Sequence, residues 1–479
     1  MVRERRAKLE RIVASGGTPY ARHFERSHDT RAARELLGEG ERTEPVTIAG
    51  RLMVKRPHGG STFADLQDGA GRIQLMARRD ALGEERYEAF GDLDSGDIIG
   101  VAGPVFRTRR GEVSVEVLDF KLLAKSLQPL PEKWHGLKDV ELRYRQRHLD
   151  LISNPESRAV FELRSRVISG IRRFLDARGF LEVETPVLHS VAGGGLAKPF
   201  RTHHNALDMD LYLRIALELH LKRLVVGGID KVYEISRVFR NEGLSPRHNP
   251  EFTMFESYEA YQDYRGVMDY AEEVIQAAAE AAGKPLDLAF QGEQFSLRPP
   301  YRRARMVDLI GEHAGIDVLA NPEAEALAEI ARAAGVPIPE GTPWGFVVNE
   351  LYEKRVESAL RQPTIVYDYP RDISPLARHL DDDPRFVERF ETVVMGRELN
   401  NAFTELIDPI DQLARFEAQA RGAEFADDTH PIDADYVETL ESGMPPTGGF
   451  GMGIDRLVML LADQASIRDV ILFPALRNK

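Results

Sequence analysis

The chain has 479 residues, 77 Asp and Glu against 63 Lys and Arg, a net charge of −14 and no cysteine. That length supports two or three domains with full cores and excludes a small staple-dependent scaffold. The missing thiols exclude disulfides, thiolate zinc sites and a cysteine nucleophile, which fits a reducing compartment. The acidic balance taken alone argues against a nucleic-acid partner, but residues 1–150 hold 27 basic against 24 acidic residues, leaving 36 against 53 beyond them. Such asymmetry suggests different partners for the two parts.

Residues 3–13 read as a short amphipathic helix. They show no apolar run of a signal segment, and no stretch reaches the roughly 18 apolar residues of a membrane span, so a soluble cytoplasmic protein with no membrane partner is expected. From Pro45 the runs VTIAGRLMVKR, STFADLQDGAGRIQLMA and DIIGVAGPVFRTRRGEVSVEVLDFKLLA alternate and are split by Gly-rich turns, the pattern of a small antiparallel barrel of the OB type. Such barrels bind single-stranded nucleic acid on an aromatic platform with polar flanks. Arg51, Phe63, Gln74 and the cluster Arg107, Arg109 and Arg110 supply those residue types, although a core position would suit Phe63 equally well. The first domain is therefore set at residues 1–130, and the Pro- and Lys-containing stretch SLQPLPEKWHGLKD opens a linker at 131–155.

The second domain, 156–479, is entered by a helix over 155–177, with Val160, Leu163, Val167, Ile171, Phe174 and Leu175 at helical spacing and a stop at Arg178-Gly179. Helices and strands then mix, including an Ala-rich helix around 272–282 and a helical insert near 320–360. No internal repeat or low-complexity tract occurs.

Two nucleotide sites are excluded, because there is neither a G-x-x-x-x-G-K-[ST] phosphate loop nor a G-x-G-x-x-G opening a βαβ unit. Three other segments stand in order: RGFLEVETPVL (178–188), VYEISRVFRNEG (232–243) and GFGMGIDRLVMLL (449–461). The second reads as a hairpin with strands at about 232–240 and 252–260. Alternation then sets Phe252, Met254, Glu256 and Tyr258 on one face, with an aromatic plate at one end and a carboxylate beside a phenol at the other. In FETVVMGRELNNAFTEL, Gly396 suggests a turn, and Asn401, Phe403 and Glu405 share a face. Simple alternation puts Glu398 on the opposite face unless a bulge lies near 399–401.

These three segments resemble motifs 1, 2 and 3 of the class II aminoacyl-tRNA synthetases over about residues 140–479, and the preceding barrel resembles the anticodon-binding domain of their Asp, Asn and Lys subgroup. LQPLPEKWHGLKDVELRYRQRHLDL, HNALDMDLYLRIALELHLKRLVVGG, RHNPEFTMFESYEAY and IRDVILFPALR resemble the lysyl-tRNA synthetases in particular. The resemblance implies an α+β protein, an N-terminal OB-fold β-barrel followed by an antiparallel sheet flanked by helices. It implies ATP-dependent activation of L-lysine with magnesium (Mg2+), transfer to tRNA(Lys) in protein synthesis, and a homodimer formed through motif 1; no zinc is expected.

By position in those motifs, Arg240 and Arg456 are the implied catalytic groups, and Arg240, Glu242, His248, Asn249, Phe252 and Arg456 the ATP site. Gly194, Glu218, Glu256, Tyr258, Asn401, Phe403 and Glu405 are implied to bind lysine, Glu391 and Glu398 to bind magnesium, and Arg51, Phe63 and Gln74 to read the anticodon. Leu217, His220, Lys198 and Asn400 depart from common family residues. The adjacent His203 and His204 lack partner ligands at metal-binding spacing. The intact Arg240, Glu391, Glu398 and Arg456 argue against a catalytically silent relative, and the barrel argues against a lysyl transferase acting on protein or lipid.

Overall fold

The computed structural model describes residues 1–131, 137–191, 193, 197–421 and 432–477. The chain divides into two compact units, Met1–Lys138 and Asp139–Lys479. Gly194 lies outside the described residues, as does part of the linker segment.

In the first unit a helix, α1 (Val2–Ala14), precedes six strands: β1 (Arg42–His58), β2 (Ser61–Gln67), β3 (Arg72–Arg78), β4 (Ile98–Arg107), β5 (Val113–Val117) and β6 (Asp119–Ala124). They run in the order β1-β2-β3-β5-β4-β6, and a further pairing of β1 with β4 closes the first five into a ring. β1 is long enough to pair with β4 through its first half and β2 through its second. Alternation along β2 and β3 buries Ala64, Leu66, Ile73 and Leu75 inside the ring with Ile48, Leu52, Val101 and Val115, and turns Phe63 and Gln74 to the outer face.

In the second unit the long helix α2 (Pro155–Ala177) starts with Pro in its first turn and buries Val160, Leu163, Val167, Ile171 and Leu175, the stripe its spacing predicts. It lies against α4 (Tyr264–Ala281), where Gly170 approaches Ala281 closely enough that a Cβ on Gly170 would sit 2.3 Å from the Ala281 Cβ. α4 begins eight residues earlier than the Ala-rich pattern indicates, because the Asp263 side chain accepts from the amides of Arg265 and Gly266 and caps it.

These helices cover a sheet of eight strands: β7 (Leu181–Glu182), β8 (Lys231–Phe239), β9 (Glu251–Ala260), β10 (Arg302–Arg305), β11 (Thr364–Pro370), β12 (Phe386–Val393), β13 (Glu398–Thr404) and β14 (Thr447–Gly453). Their order is β10-β11-β12-β13-β14-β9-β8-β7. The edge strands β10 and β7 pair in parallel and every pairing between them is antiparallel. Three helices, α5 (Met306–Ala314), α6 (Ala324–Ala333) and α7 (Trp344–Arg355), form a second core with the β11 and β12 end of the sheet. No described helix is long and apolar enough to cross a membrane.

The ring of the first unit tolerates no side chain at Gly103, since a Cβ there would meet the Glu116 carbonyl oxygen at 1.7 Å. Gly103→Ala is expected to cost the first unit about 3 kcal/mol by overpacking. Calorimetry should show its transition several degrees lower, with the transition of the second unit unmoved; coincident wild-type and variant traces would contradict the close approach.

Candidate active site

The centre of the large sheet is built from three strands, and the middle one, β14, has the sequence TGGFGMG. On its β9 side Met254 faces Gly453, Glu256 faces Gly451 and Tyr258 faces Gly449. On its β13 side Asn401 faces Gly451 and Phe403 faces Gly449. Directly paired residues share a face, so side chains from both neighbours stand over bare backbone and line one cavity together with Glu218, Arg240, Glu398, Glu405 and Arg456.

The expected conflict over Glu398 is resolved by one extra residue. Thr392 of β12 pairs with Asn400, but the next residue, Val393, pairs with Glu398. Leu399 is therefore a bulge, buried with Asn400, and it brings Glu398 onto the face of Asn401, Phe403 and Glu405. Arg456 follows β14 at the start of α9 (Ile454–Leu461) and donates from Nη1 to the Glu398 backbone oxygen at 2.9 Å and Oε2 at 2.8 Å.

Glu391 lies opposite Asn401 and does not line the cavity itself. Its Oε1 accepts from Arg389 Nη2 at 2.6 Å, while Arg389 Nε donates to Asn401 Oδ1 at 2.9 Å. Burial, with the charge of Glu398, pushes the Glu391 carboxyl up to about 7. Burial also works against Glu398, but Arg456 outweighs it, helped by Arg389 and Arg240, and holds that carboxyl below its ordinary value. No group of three or more His, Cys, Asp and Glu side chains among the described residues forms a metal cage. A hard cation that brings its own oxygen ligands fits this pair of carboxylates, as magnesium does on phosphates.

At the far end of the cavity the acids are deeply buried, with Glu405 1% exposed. Leu217 N donates to Glu256 Oε1 and the Tyr258 hydroxyl to Glu256 Oε2, both at 3.0 Å. Burial, and then the charge of Glu218, pushes Glu256 up to about 7. The Tyr258 hydroxyl is thus committed to Glu256 rather than Glu405. A Cβ on Gly449 would lie 1.9 Å from Glu405 Oε1 and 2.8 Å from Tyr258 Cε1, so glycine is required there.

The other end is formed by the β8–β9 hairpin and carries Glu242, His248, Asn249 and Phe252 in the cavity wall. The Arg240 guanidinium lies 5.2 Å from the centre of the Phe252 ring. His248 Nδ1 is 2.9 Å from Ser245 Oγ. Asn249 donates from Nδ2 to Glu251 O at 2.6 Å, and its Oδ1 accepts from Ala475 N at 3.1 Å, which ties the hairpin to the C-terminal segment.

In the first unit Arg51, Phe63 and Gln74 share the outer face of β1, β2 and β3 through the pairs Arg51 with Gln67, Phe63 with Met76 and Asp65 with Gln74. Arg51 Nη1 donates to Gly96 O at 2.8 Å and Gln74 Oε1 accepts from Ser114 Oγ at 2.9 Å, while the Phe63 ring stays outside the core. His203 is exposed and meets Asp210 Oδ1 through Nδ1 at 2.9 Å.

Two residues of the site escape sequence reasoning. Asp455, almost fully buried, accepts from Arg164 Nη1 and from Thr253 N, each at 2.7 Å, and so fastens α9 to α2 and β9. Lys222, on the helix α3 (Glu218–Val226), is wholly buried between Glu218 and Glu405; its spacing of four from Glu218 is the signal that could have revealed it.

The family described as tRNA synthetases class II (D, K and N) matches residues 139–477, and an OB-fold nucleic acid binding domain matches residues 46–123. A lysine–tRNA ligase of Moorella thermoacetica is 55% identical over 473 residues, 98% of this chain and 96% of the relative. That of Carboxydothermus hydrogenoformans is 53% identical, covering 100% and 98%, and that of Halalkalibacterium halodurans 53% identical, covering 99% and 96%.

Asp455→Ala removes the anionic partner of the Arg164 guanidinium and the acceptor of the Thr253 amide. The second unit is expected to lose about 3–5 kcal/mol, the cost of removing one partner from a buried pair, read as a lower urea midpoint. A midpoint within error of the parent would show that the contact is dispensable.

Proposed function

We propose, for a chain that belongs to the class II tRNA synthetases of the D, K and N type and within them to the lysine–tRNA ligases, that it activates L-lysine with ATP and passes the lysyl group to the 3′ end of tRNA(Lys). The observation that carries the amino-acid choice is Glu405, a buried carboxylate at the closed end of the cavity whose Oε1 has no hydrogen-bond partner. A buried acceptor of that kind demands a cationic guest. Glu405 takes the side-chain ammonium, with Phe403 and Tyr258 along its stem and Asn401 beside it. Glu218, Glu256 and the backbone at Gly194 take the α-ammonium.

The lysine carboxylate oxygen forms a bond to the α-phosphorus, the bond to the bridging oxygen of the β-phosphate breaks, and pyrophosphate leaves. A ribose hydroxyl of the tRNA then attacks the acyl carbon and AMP departs. The first nucleophile is already anionic, so the step needs no general base and rests on positioning and charge stabilisation. Arg240 holds the α-phosphate and the lysine carboxylate, and Arg456 the γ-phosphate, each presenting a fixed fork of donors. Phe252 stacks on adenine, with Glu242, His248 and Asn249 around it. Glu391 and Glu398 are the residues that would hold magnesium, which when bound with ATP supplies positive charge across the phosphate oxygens.

The reading extends to assembly and setting. Leu181, Val187 and Leu188 of the first motif segment are 51%, 40% and 46% exposed, apolar surface that a two-fold contact between copies would cover, and a homodimer is proposed on that basis. The outer face bearing Phe63, Arg51 and Gln74 is proposed to read the anticodon, in a cytoplasmic setting.

Amino-acid-dependent ATP–pyrophosphate exchange across the twenty amino acids tests the reading, and lysine alone should score. Glu405→Gln should lower kcat/KM for lysine about 100-fold or more, the scale of losing one partner of a buried charge pair, with the KM for ATP little changed; unaltered lysine-dependent exchange would sink the assignment. Because Glu256 is held near 7 and its carboxylate is the form that binds an ammonium, the KM for lysine should fall by about tenfold from pH 6 to pH 8. A flat profile would remove Glu256 from substrate binding.

A further inference from the structure

Behind the acid end of the cavity lies a lysine of the chain itself. The Lys222 side chain comes from α3, is 0% exposed and does not line the cavity. Its Nζ lies 2.5 Å from Glu218 Oε1 and forms an ion pair with Glu405 Oε2. The Phe403, Tyr436 and Tyr258 rings surround the ammonium, with centres 5.3, 5.9 and 6.0 Å away. Tyr436 belongs to α8 (Ala434–Glu441). The titratable groups facing this ammonium are therefore Glu218 on its own helix, Glu405 after β13, Glu256 and Tyr258 on β9, and Tyr436 on α8.

We propose that Lys222 is a positioning and specificity-determining residue for amino-acid selection: its ammonium engages Glu405 Oε2 and leaves Oε1 presented to the cavity. The inference rests on the lysine reading above. Glu218, Glu256 and Glu405 bring three carboxylates to this end, and Lys222 returns one positive charge. With all three ionised, the two negative charges left match the two ammonium groups of a diamino acid, whereas a substrate with one ammonium leaves a buried charge uncompensated. Burial lowers the proton affinity of Lys222, but Glu218 and Glu405 more than reverse this and hold it up as an ammonium. On balance the Glu405 carboxyl stands well above its ordinary value: burial raises it, Lys222 opposes that rise, and Glu218 and Glu256 add to it. Removing the ammonium therefore shifts Glu405 further up, so that less of it is ionised at neutral pH.

The test uses Lys222→Met and Lys222→Gln, which lose the charge, and Lys222→Arg, which keeps it, in lysine-dependent pyrophosphate exchange from pH 6.5 to pH 9. With either neutral variant the KM for lysine should rise about tenfold or more at pH 7, while kcat and the KM for ATP stay within about threefold. The ratio of variant to parent KM should shrink as pH rises, since alkali restores the Glu405 carboxylate, and Lys222→Arg should keep the parent's profile. An unchanged lysine KM, a loss equal at every pH, a parallel fall in kcat and ATP affinity, or failure of both neutral variants to fold would overturn the proposal. Absence of lysine-dependent exchange in the parent would instead overturn the reading it rests on.

Discussion

Strand β14 stands between β9 and β13 with only Gly449, Gly451 and Gly453 on its cavity face, and the cavity exists because those two neighbours project their residues over it. The tightest point is Gly449, whose missing Cβ is the space occupied by the Glu405 carboxylate and the edge of Tyr258. A single methyl group there would displace the Glu405 carboxylate, the acid proposed to take the side-chain ammonium of lysine. The same openness lets Arg456 and Asp455, at the start of the following helix, reach back to Glu398 and to β9.

Burying so many acids imposes a second requirement. An isolated charge in this environment would destabilise the fold, and the chain sets a cation beside each acid: Arg456 by Glu398, Arg389 by Glu391, Lys222 by Glu405 and Glu218, Arg164 by Asp455. Two kinds of pair result. The Asp455 pair is closed by a backbone amide and is purely a fastening. Glu398 and Glu405 instead line the cavity, where the proposed substrates would meet them as further partners.

Much of this is legible in the sequence, for identifiable reasons. The α2 stripe, the hairpin and the shared face of Phe252, Met254, Glu256 and Tyr258 follow from periods of 3.6 and 2, which chain geometry enforces. Glycine spacing marked β14, although the pattern alone could not say that its neighbours supply the chemistry. The bulge at Leu399 was hidden because an inserted residue leaves no compositional trace, and Lys222 because a lysine on a helix ordinarily reads as a solvated charge. Asp455 was visible only as a neighbour of Arg456, its partners Arg164 and Thr253 being remote in sequence. The early start of α4 had a readable signal in Asp263, outweighed by the run of alanines that followed it.

The bulge at Leu399 amounts to a phase correction. A strand delivers its side chains with a two-residue beat, and Glu398 and Asn401 are separated by an odd number of steps; Leu399 absorbs the half-cycle. Removing Leu399 would restore plain alternation with Glu398 two steps from Asn401 and still on its face, whereas straightening the strand with Leu399 in place would send Glu398 to the back of the sheet. In an alignment, a one-position gap within 398–401 would therefore signify a straight strand that still carries the acid on the same face, the bulge and not the facing having been lost.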